Sequence, residues 1–445
     1  MPFYWAVRPK LEYMPELVDR HRAVLPTWMA LYYDHPLELV RGSGSRVTDS
    51  SGHTYLDFFC GILTNMLGYD VPEVREAVER QLATGIVHTS TLYLIRSQVE
   101  LAEKLARLSG IEGAKVFFTN SGTEANETAL MLATAARGSN QVLAMRNSYH
   151  GRSFGAVAIT GNLAWKSSPL APFGVHYLHG TDRELPGFAG MTDAEYIAAC
   201  TADLEHLLTA GAAREVACLI AEPIQGVGGF AMPPDGLFGE YKKVLDSRGI
   251  LFISDEVQTG WGRTGEHFWG FGAHGITPDM ITFAKGLGNG FAIGGVIARG
   301  DLMDGLPGNG ISTFGGNPLS TTAANATLDY LLDHDLQRNA ATLGSMIIGG
   351  LAEAAAPLAA VGGVRGKGLM FAVDLVDPRT GAPSPALATR VLEETRERGL
   401  LIGKGGLYGH ALRMAPPMTL TEADAKEGMG ILIDALQAVD AEARN

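Results

Sequence analysis

The stretch "ITFAKGLGNG" (281–290) sets Lys285 directly after a strand-like apolar run and before glycines. A lysine is a poor end for a buried strand unless an amine is needed there. Three other apolar runs also end on polar groups. "KVFFT" runs into Asn120, Ser121, Gly122 and Thr123 at the start of a helical stretch, "CLIA" into Glu222, and "ILFIS" into Asp255. Ligands of parallel α/β sheets bind at the carboxyl ends of the strands. The pattern therefore offers one rim with an amine, two acids and an anion-binding turn.

Each group alone has a plainer reading. A helix N-terminus with its free N–H groups suits a phosphate, but Ser121 with Glu124 or Glu127 also reads as an ordinary N-cap. Asp255 reads as a metal ligand, a structural cap or a counter-ion. Lys285 alone reads as a snorkelling surface lysine. Together they suit pyridoxal phosphate, which needs a lysine for an imine, an acid to keep its pyridine nitrogen protonated, a phosphate cradle and a stacking surface. A carboxylate on the protonated ring nitrogen is a charge-assisted bond worth ~1.5–3 kcal/mol. Tyr149, in "NSYHGRS", offers an aromatic face after the run "QVLAMR", and reads equally as a core or loop tyrosine. The alternative from another class is a nucleotide-binding module. "GLGNG" does not match G-x-G-x-x-G, and no G-x-x-x-x-G-K-[ST] occurs, which argues against it.

The elements that must hold these groups follow from hydrophobic patterning. The short apolar runs at 115–120, 141–146, 217–223, 249–256, 279–285 and 294–299 alternate with helical stretches such as 121–136. Such runs predict central parallel strands buried on both faces, in an α/β domain with helices on each side. Residues 37–59 read as strands joined by Gly/Ser turns, and the chain beyond about 325 as helices and strands. The expected organisation is a large domain over 71–325 and a small α+β domain built from 1–70 and 326–445.

The chain has 445 residues, 46% hydrophobic and 19% charged, with net charge −13. That composition is globular, and the acidic balance argues against nucleic-acid and anionic-membrane binding. Cys60, Cys200 and Cys218 share no metal-like spacing; they read as reduced and buried, so the expected compartment is the cytoplasm. No apolar run reaches the roughly 18 residues of a membrane span, and the first residues lack the pattern of a signal peptide.

Seven motifs, "FFTNSGTEANETAL", "SYHGRS", "AEPIQGVGG", "SDEVQTGWGRTG", "FAKGLGNG", "STFGGNP" and "VRGKGLM", resemble those of class III aminotransferases in order and spacing, from about residue 30 to 440. These are pyridoxal-phosphate enzymes of fold type I. With "LRMAPP", the resemblance is closest to the alanine–glyoxylate aminotransferase 2 branch, which also includes phospholyases.

The resemblance implies transamination in two half-reactions and assigns roles residue by residue. Lys285 is the implied imine-forming lysine and proton carrier. Asp255 is implied at the pyridine nitrogen, with Glu222 orienting it. Gly122 and Thr123 would hold the phosphate, with Ser121 beside them. Tyr149 and Val257 would cover the two ring faces, and Gln258 would reach the ring hydroxyl. Thr313 would complete the phosphate site of a neighbouring subunit, which implies a homodimer, or a dimer of dimers, with shared sites. Arg413 would take a substrate carboxylate. Val227 stands where many ω-aminotransferases carry a glutamate that masks this arginine. Arg413 is therefore expected to be open to the carboxylate of an alanine-like or β/γ-amino acid and of a small 2-oxo acid such as pyruvate or glyoxylate. The plainer reading is that Val227 packs and Arg413 finds another acid. A phospholyase, racemase or aminomutase on the same scaffold is the alternative. Specificity is expected around 60–65 and 88–93.

Overall fold

The computed structural model of the protein describes residues 16–211 and 215–444. Near its N-terminus, β1 (Leu39–Ser43), β2 (Arg46–Asp49) and β3 (Thr54–Asp57) form an antiparallel meander. Its turns use Gly44 and Gly52, both with positive φ.

The central sheet contains β4 (Ala114–Thr119), β5 (Gln141–Met145), β6 (Gly174–Leu178), β7 (Cys218–Ala221), β8 (Leu251–Asp255), β9 (Met280–Phe283) and β10 (Gly294–Arg299). Its seven strands lie in the order β4-β10-β9-β8-β7-β5-β6. Only β10 is reversed, pairing antiparallel with both β4 and β9. The run 294–299 is thus a central strand, as its apolar content predicts, but not a parallel one: a buried run looks the same in either direction. β6 escaped the sequence reading because it lies at the sheet edge and its residues before Leu178 are only half-buried.

β7, β8 and β9 are buried along their whole length. Alternate residues go to opposite layers. Ile281 and Phe283 join one apolar cluster with Leu101, Leu105 and Leu328, while Met280 joins Ala125, Ala129 and Val296 in another. The second cluster includes the inner face of the helix Gly122–Arg137, whose small buried residues let it lie close on β9 and β10.

The C-terminal part of the chain contributes a further sheet. β11 (Val361–Lys367), β12 (Met370–Leu375), β14 (Gly403–Gly405) and β15 (Ala411–Met414) form an antiparallel sheet. The short β13 (Leu400–Leu401) instead joins the N-terminal meander, parallel to β3. Among the described residues no helix is long and apolar enough to cross a membrane.

Candidate active site

Four chain reversals at the carboxyl ends of β4, β5, β7 and β8, with the turn after β9, border one cavity of about 330 Å³. Gly122, Thr123, Tyr149, Glu222, Val257, Asp255, Gln258 and Lys285 all line it, as does Arg413 from β15. Ser121 does not. Its hydroxyl caps the helix by accepting from the Glu124 N–H at 3.2 Å. Thr313 is exposed and lies outside the cavity of its own chain. Of the two stretches expected to govern specificity, Gly61, Ile62 and Thr64 reach the cavity, whereas 88–93 do not.

Asp255 is buried at the end of β8. Its Oδ2 accepts from Asn126 Nδ2 at 2.8 Å and lies 2.8 Å from His150 Nδ1. Its Oδ1 takes a longer bond, 3.2 Å, from the Val257 N–H. Glu222 is held by two backbone donors, Tyr149 N–H at 2.9 Å and Gly226 N–H at 2.8 Å. Burial pushes its carboxyl up to about 7; His150 opposes the shift, Asp255 adds to it, and the two N–H groups oppose it.

Lys285 begins a tight turn with φ of 46°. Burial lowers its pKa, while Asp255 and Glu222 pull it up and Arg413 pushes it down further. A lowered value keeps more of the amine neutral and nucleophilic at a given pH.

Arg413 is only 3% exposed, yet among the described residues it forms no ion pair within 4 Å. Its guanidinium donates to the carbonyls of Gly226 at 2.8 Å and Lys404 at 2.9 Å, and faces the rings of Phe59 and Phe230. Burial lowers its pKa, opposed by Tyr32 and Glu222. Val227 lines the same cavity and carries no charge to neutralise it.

Several neighbours were not singled out from the sequence. Asn126 sits one helical turn after Gly122, so the 3.6-residue period alone places it on the same face. His150 follows Tyr149 directly. Trp165 meets Tyr149 edge to face at 5.3 Å, and no local pattern marks it.

The cavity suits pyridoxal phosphate on its own terms. Gln258 Oε1 is buried without a hydrogen-bond partner, a cost that a bound donor would remove. A Cβ on Gly122 would come within 3.1 Å of Val257 Cγ2, so a side chain there would crowd the cavity wall. An amine, a buried acid and a helix N-terminus face the same space.

The class III aminotransferase family model matches residues 29–436. The chain is 38% identical to the mitochondrial alanine–glyoxylate aminotransferase 2 homolog 2 of Arabidopsis thaliana, over 92% of this chain and 84% of that one. It is 34% identical to an alanine/serine racemase of Pyrococcus horikoshii, covering 97% and 92%. Among solved structures, it resembles a phospholyase from Arthrobacter in complex with phosphoethanolamine, at 35% identity and TM-score 0.86, covering 95% and 100%. A match of this extent, over a cavity in which a lysine, an acid and a helix end converge, has one consequence: the chain belongs to the class III aminotransferases, enzymes of fold type I that work with pyridoxal phosphate.

Proposed function

We propose that the protein transfers an amino group between an alanine-like or β/γ-amino acid and a small 2-oxo acid such as pyruvate or glyoxylate. The observation that carries this reading is Arg413, a buried guanidinium without an acidic partner that opens on the same cavity as Lys285. A buried cation left unpaired is costly, and a substrate carboxylate supplies the missing partner with bidentate geometry.

The bound cofactor supplies a carbonyl for imine formation and a ring that draws electrons from the substrate Cα. Lys285 would hold the cofactor through its amine and, once a substrate amine has displaced it, would be the base that moves the proton on and off the Cα. Asp255, fixed by Asn126 and His150, holds the proton on the ring nitrogen. Glu222 keeps the Tyr149 and Gly226 backbone in place beside it. Gly122 and Thr123 bind the phosphate, with Ser121 fixing the helix end. Tyr149 and Val257 cover the ring faces, and Gln258 bonds the ring hydroxyl. Thr313, exposed on its own chain, serves the site of a partner subunit in a homodimer or a dimer of dimers. On this reading, residues 71–325 form the cofactor domain, and 1–70 with 326–445 the smaller one. The compartment proposed is the cytoplasm.

The test is a panel of alanine, β-alanine, 4-aminobutyrate and simple amines against pyruvate, glyoxylate and 2-oxoglutarate, with product detection. A second reading, phospholyase chemistry, draws support from the phosphoethanolamine-bound relative. Phosphate release from a phosphorylated amine, without amino transfer, would favour it.

A further inference from the structure

Four successive residues lining or flanking the cavity have left-handed backbone: Cys60, Gly61, Ile62 and Leu63, with φ of 49°, 63°, 66° and 63°. Residues with side chains visit this region singly and rarely, and a β-branched residue there is an outlier. A run of four persists only where its surroundings over-determine it. Here they do. The buried Asp57 carboxylate accepts from the N–H groups of Phe59 and Cys60, both at 2.8 Å, and from the Tyr69 hydroxyl at 2.6 Å. Leu63 and Thr64 N–H groups close on the Phe59 and Cys60 carbonyls at 3.0 and 2.9 Å. The Thr64 hydroxyl donates to the Gly61 carbonyl at 2.9 Å.

The residues flanking the turn are bonded on two sides to the chain just beyond the two groups that face a substrate. Towards Lys285, the Gly290 N–H donates to the Thr64 carbonyl at 3.2 Å. Asn289 accepts from Leu67 N–H at 2.8 Å and donates to the Gly68 carbonyl at 3.2 Å. A Cβ on Gly286, next to Lys285, would lie 3.1 Å from Met66 Cβ and 3.3 Å from the Leu63 carbonyl oxygen. Towards Arg413, the Phe59 ring lies 5.3 Å from the guanidinium. The Ala415 N–H donates to the Phe58 carbonyl at 2.6 Å, the Met418 N–H to Met66 at 2.7 Å, and the Thr419 hydroxyl to Leu67 at 2.8 Å.

We infer that the left-handed turn Cys60–Leu63 is a positioning spacer that fixes the distance between the Lys285 amine and the Arg413 guanidinium, and so the separation of amine and carboxylate on the donor. The inference rests on the proposed pairing of Arg413 with the donor carboxylate. A turn bonded at both ends passes its rigidity to both neighbours, so loosening it or either anchor blurs the spacing.

The test uses ligand binding to the holoenzyme rather than turnover. The perturbation of its visible absorption gives a Kd for each straight-chain amino acid from glycine to 5-aminovalerate. The wild type should prefer one length by about tenfold or more over the weakest members. Ile62→Gly frees the turn, Asn289→Gly removes both side-chain bonds on the Lys285 side while tolerating its φ of 41°, and Thr419→Val removes the side-chain bond to Leu67 on the Arg413 side. At least two of the three should flatten the profile to within about threefold. Glycine takes the left-handed conformation without steric cost, so cofactor-free Ile62→Gly should melt within about 2 °C of the wild type. A flat or absent response in the wild type, or a retained length preference in two or more variants, overturns the spacer. A length-selective wild type that transfers no amino group would instead sink the proposed function and leave the spacer standing.

Discussion

His150 Nδ1 lies 2.8 Å from Asp255 Oδ2, on the same oxygen that accepts the Asn126 amide at 2.8 Å. One carboxylate oxygen is thus fully engaged, while Oδ1 takes only the 3.2 Å bond from Val257. The acid is anchored through one oxygen and keeps capacity on the other. Asp255→Asn should leave the cofactor bound but slow the chemical step by at least about 10²–10³-fold, because a neutral amide cannot hold a proton on the ring nitrogen. Rapid-mixing kinetics would read this, and near wild-type rates would mean that Asp255 serves structure alone.

Lys285→Ala should abolish both the borohydride-reducible adduct and turnover. In the cofactor-free wild type, burial lowers the Lys285 pKa. Its amine should accordingly be acylated at a lower pH than exposed lysines, as mass spectrometry of labelled peptides can follow. Reduction of the cofactor onto a different lysine in the variant would defeat the assignment.

Arg413→Ala should cost carboxylate-bearing donors roughly 3–5 kcal/mol in kcat/KM, the scale of a broken buried ion pair. Amines without a carboxylate should lose far less. Val227→Glu places an acid on the same cavity wall and should shift use toward donors whose carboxylate lies further from the amine. Equal losses for both donor classes in Arg413→Ala would assign this arginine to packing.

Mixing inactive Lys285→Ala with inactive Thr313→Ala should restore part of the activity after subunit exchange. In a mixed dimer, one site has both residues intact if Thr313 works across the interface. Exchange verified by mass spectrometry with no recovery would argue that each chain builds its own site.

Much of this site is legible in the sequence because it rests on strand ends. Apolar runs announce β7, β8 and β9, and each ends at or just before a charged rim residue: Glu222 after β7, Asp255 at the end of β8 and Lys285 two residues past β9. What the sequence hides is tertiary. The direction of β10 leaves no trace in its composition. Asn126 and His150 acquire their roles only because a helix and a loop converge on one oxygen of Asp255. The left-handed backbone at Ile62 contradicts local propensity outright, and long-range bonds to Asn289 and Thr419 hold that segment in place.

Glu222 also predicts a pH dependence. Its folded pKa of about 7 lies above the ordinary 4.5. Its contribution to stability is therefore full below about 4.5 and fades as pH rises through about 7. Cofactor-free wild type should lose thermal stability over that interval through this group. Glu222→Gln should lack that loss and be less stable by about 1–3 kcal/mol near pH 4.5, because one backbone N–H loses its acceptor, with the deficit narrowing as pH rises. Melting curves across pH 4.5–8 would test this, and an identical slope in the variant would move the titration elsewhere.

The pairing of β13 with β3 has a consequence for biosynthesis. Leu56 and Leu400 are register partners although 344 residues separate them. At about 5–20 residues per second, an emerging chain spends roughly 20–70 s with that edge of β3 unpaired, its amides and carbonyls open to any passing strand. The segment that shapes the cavity follows β3 immediately, and its bonds to Ala415, Met418 and Thr419 wait for the same late arrival. The catalytic pocket is therefore among the last parts of the molecule that a ribosome can complete. A nascent protein halted before residue 400 could fold its central sheet and still have no enclosed place for a substrate.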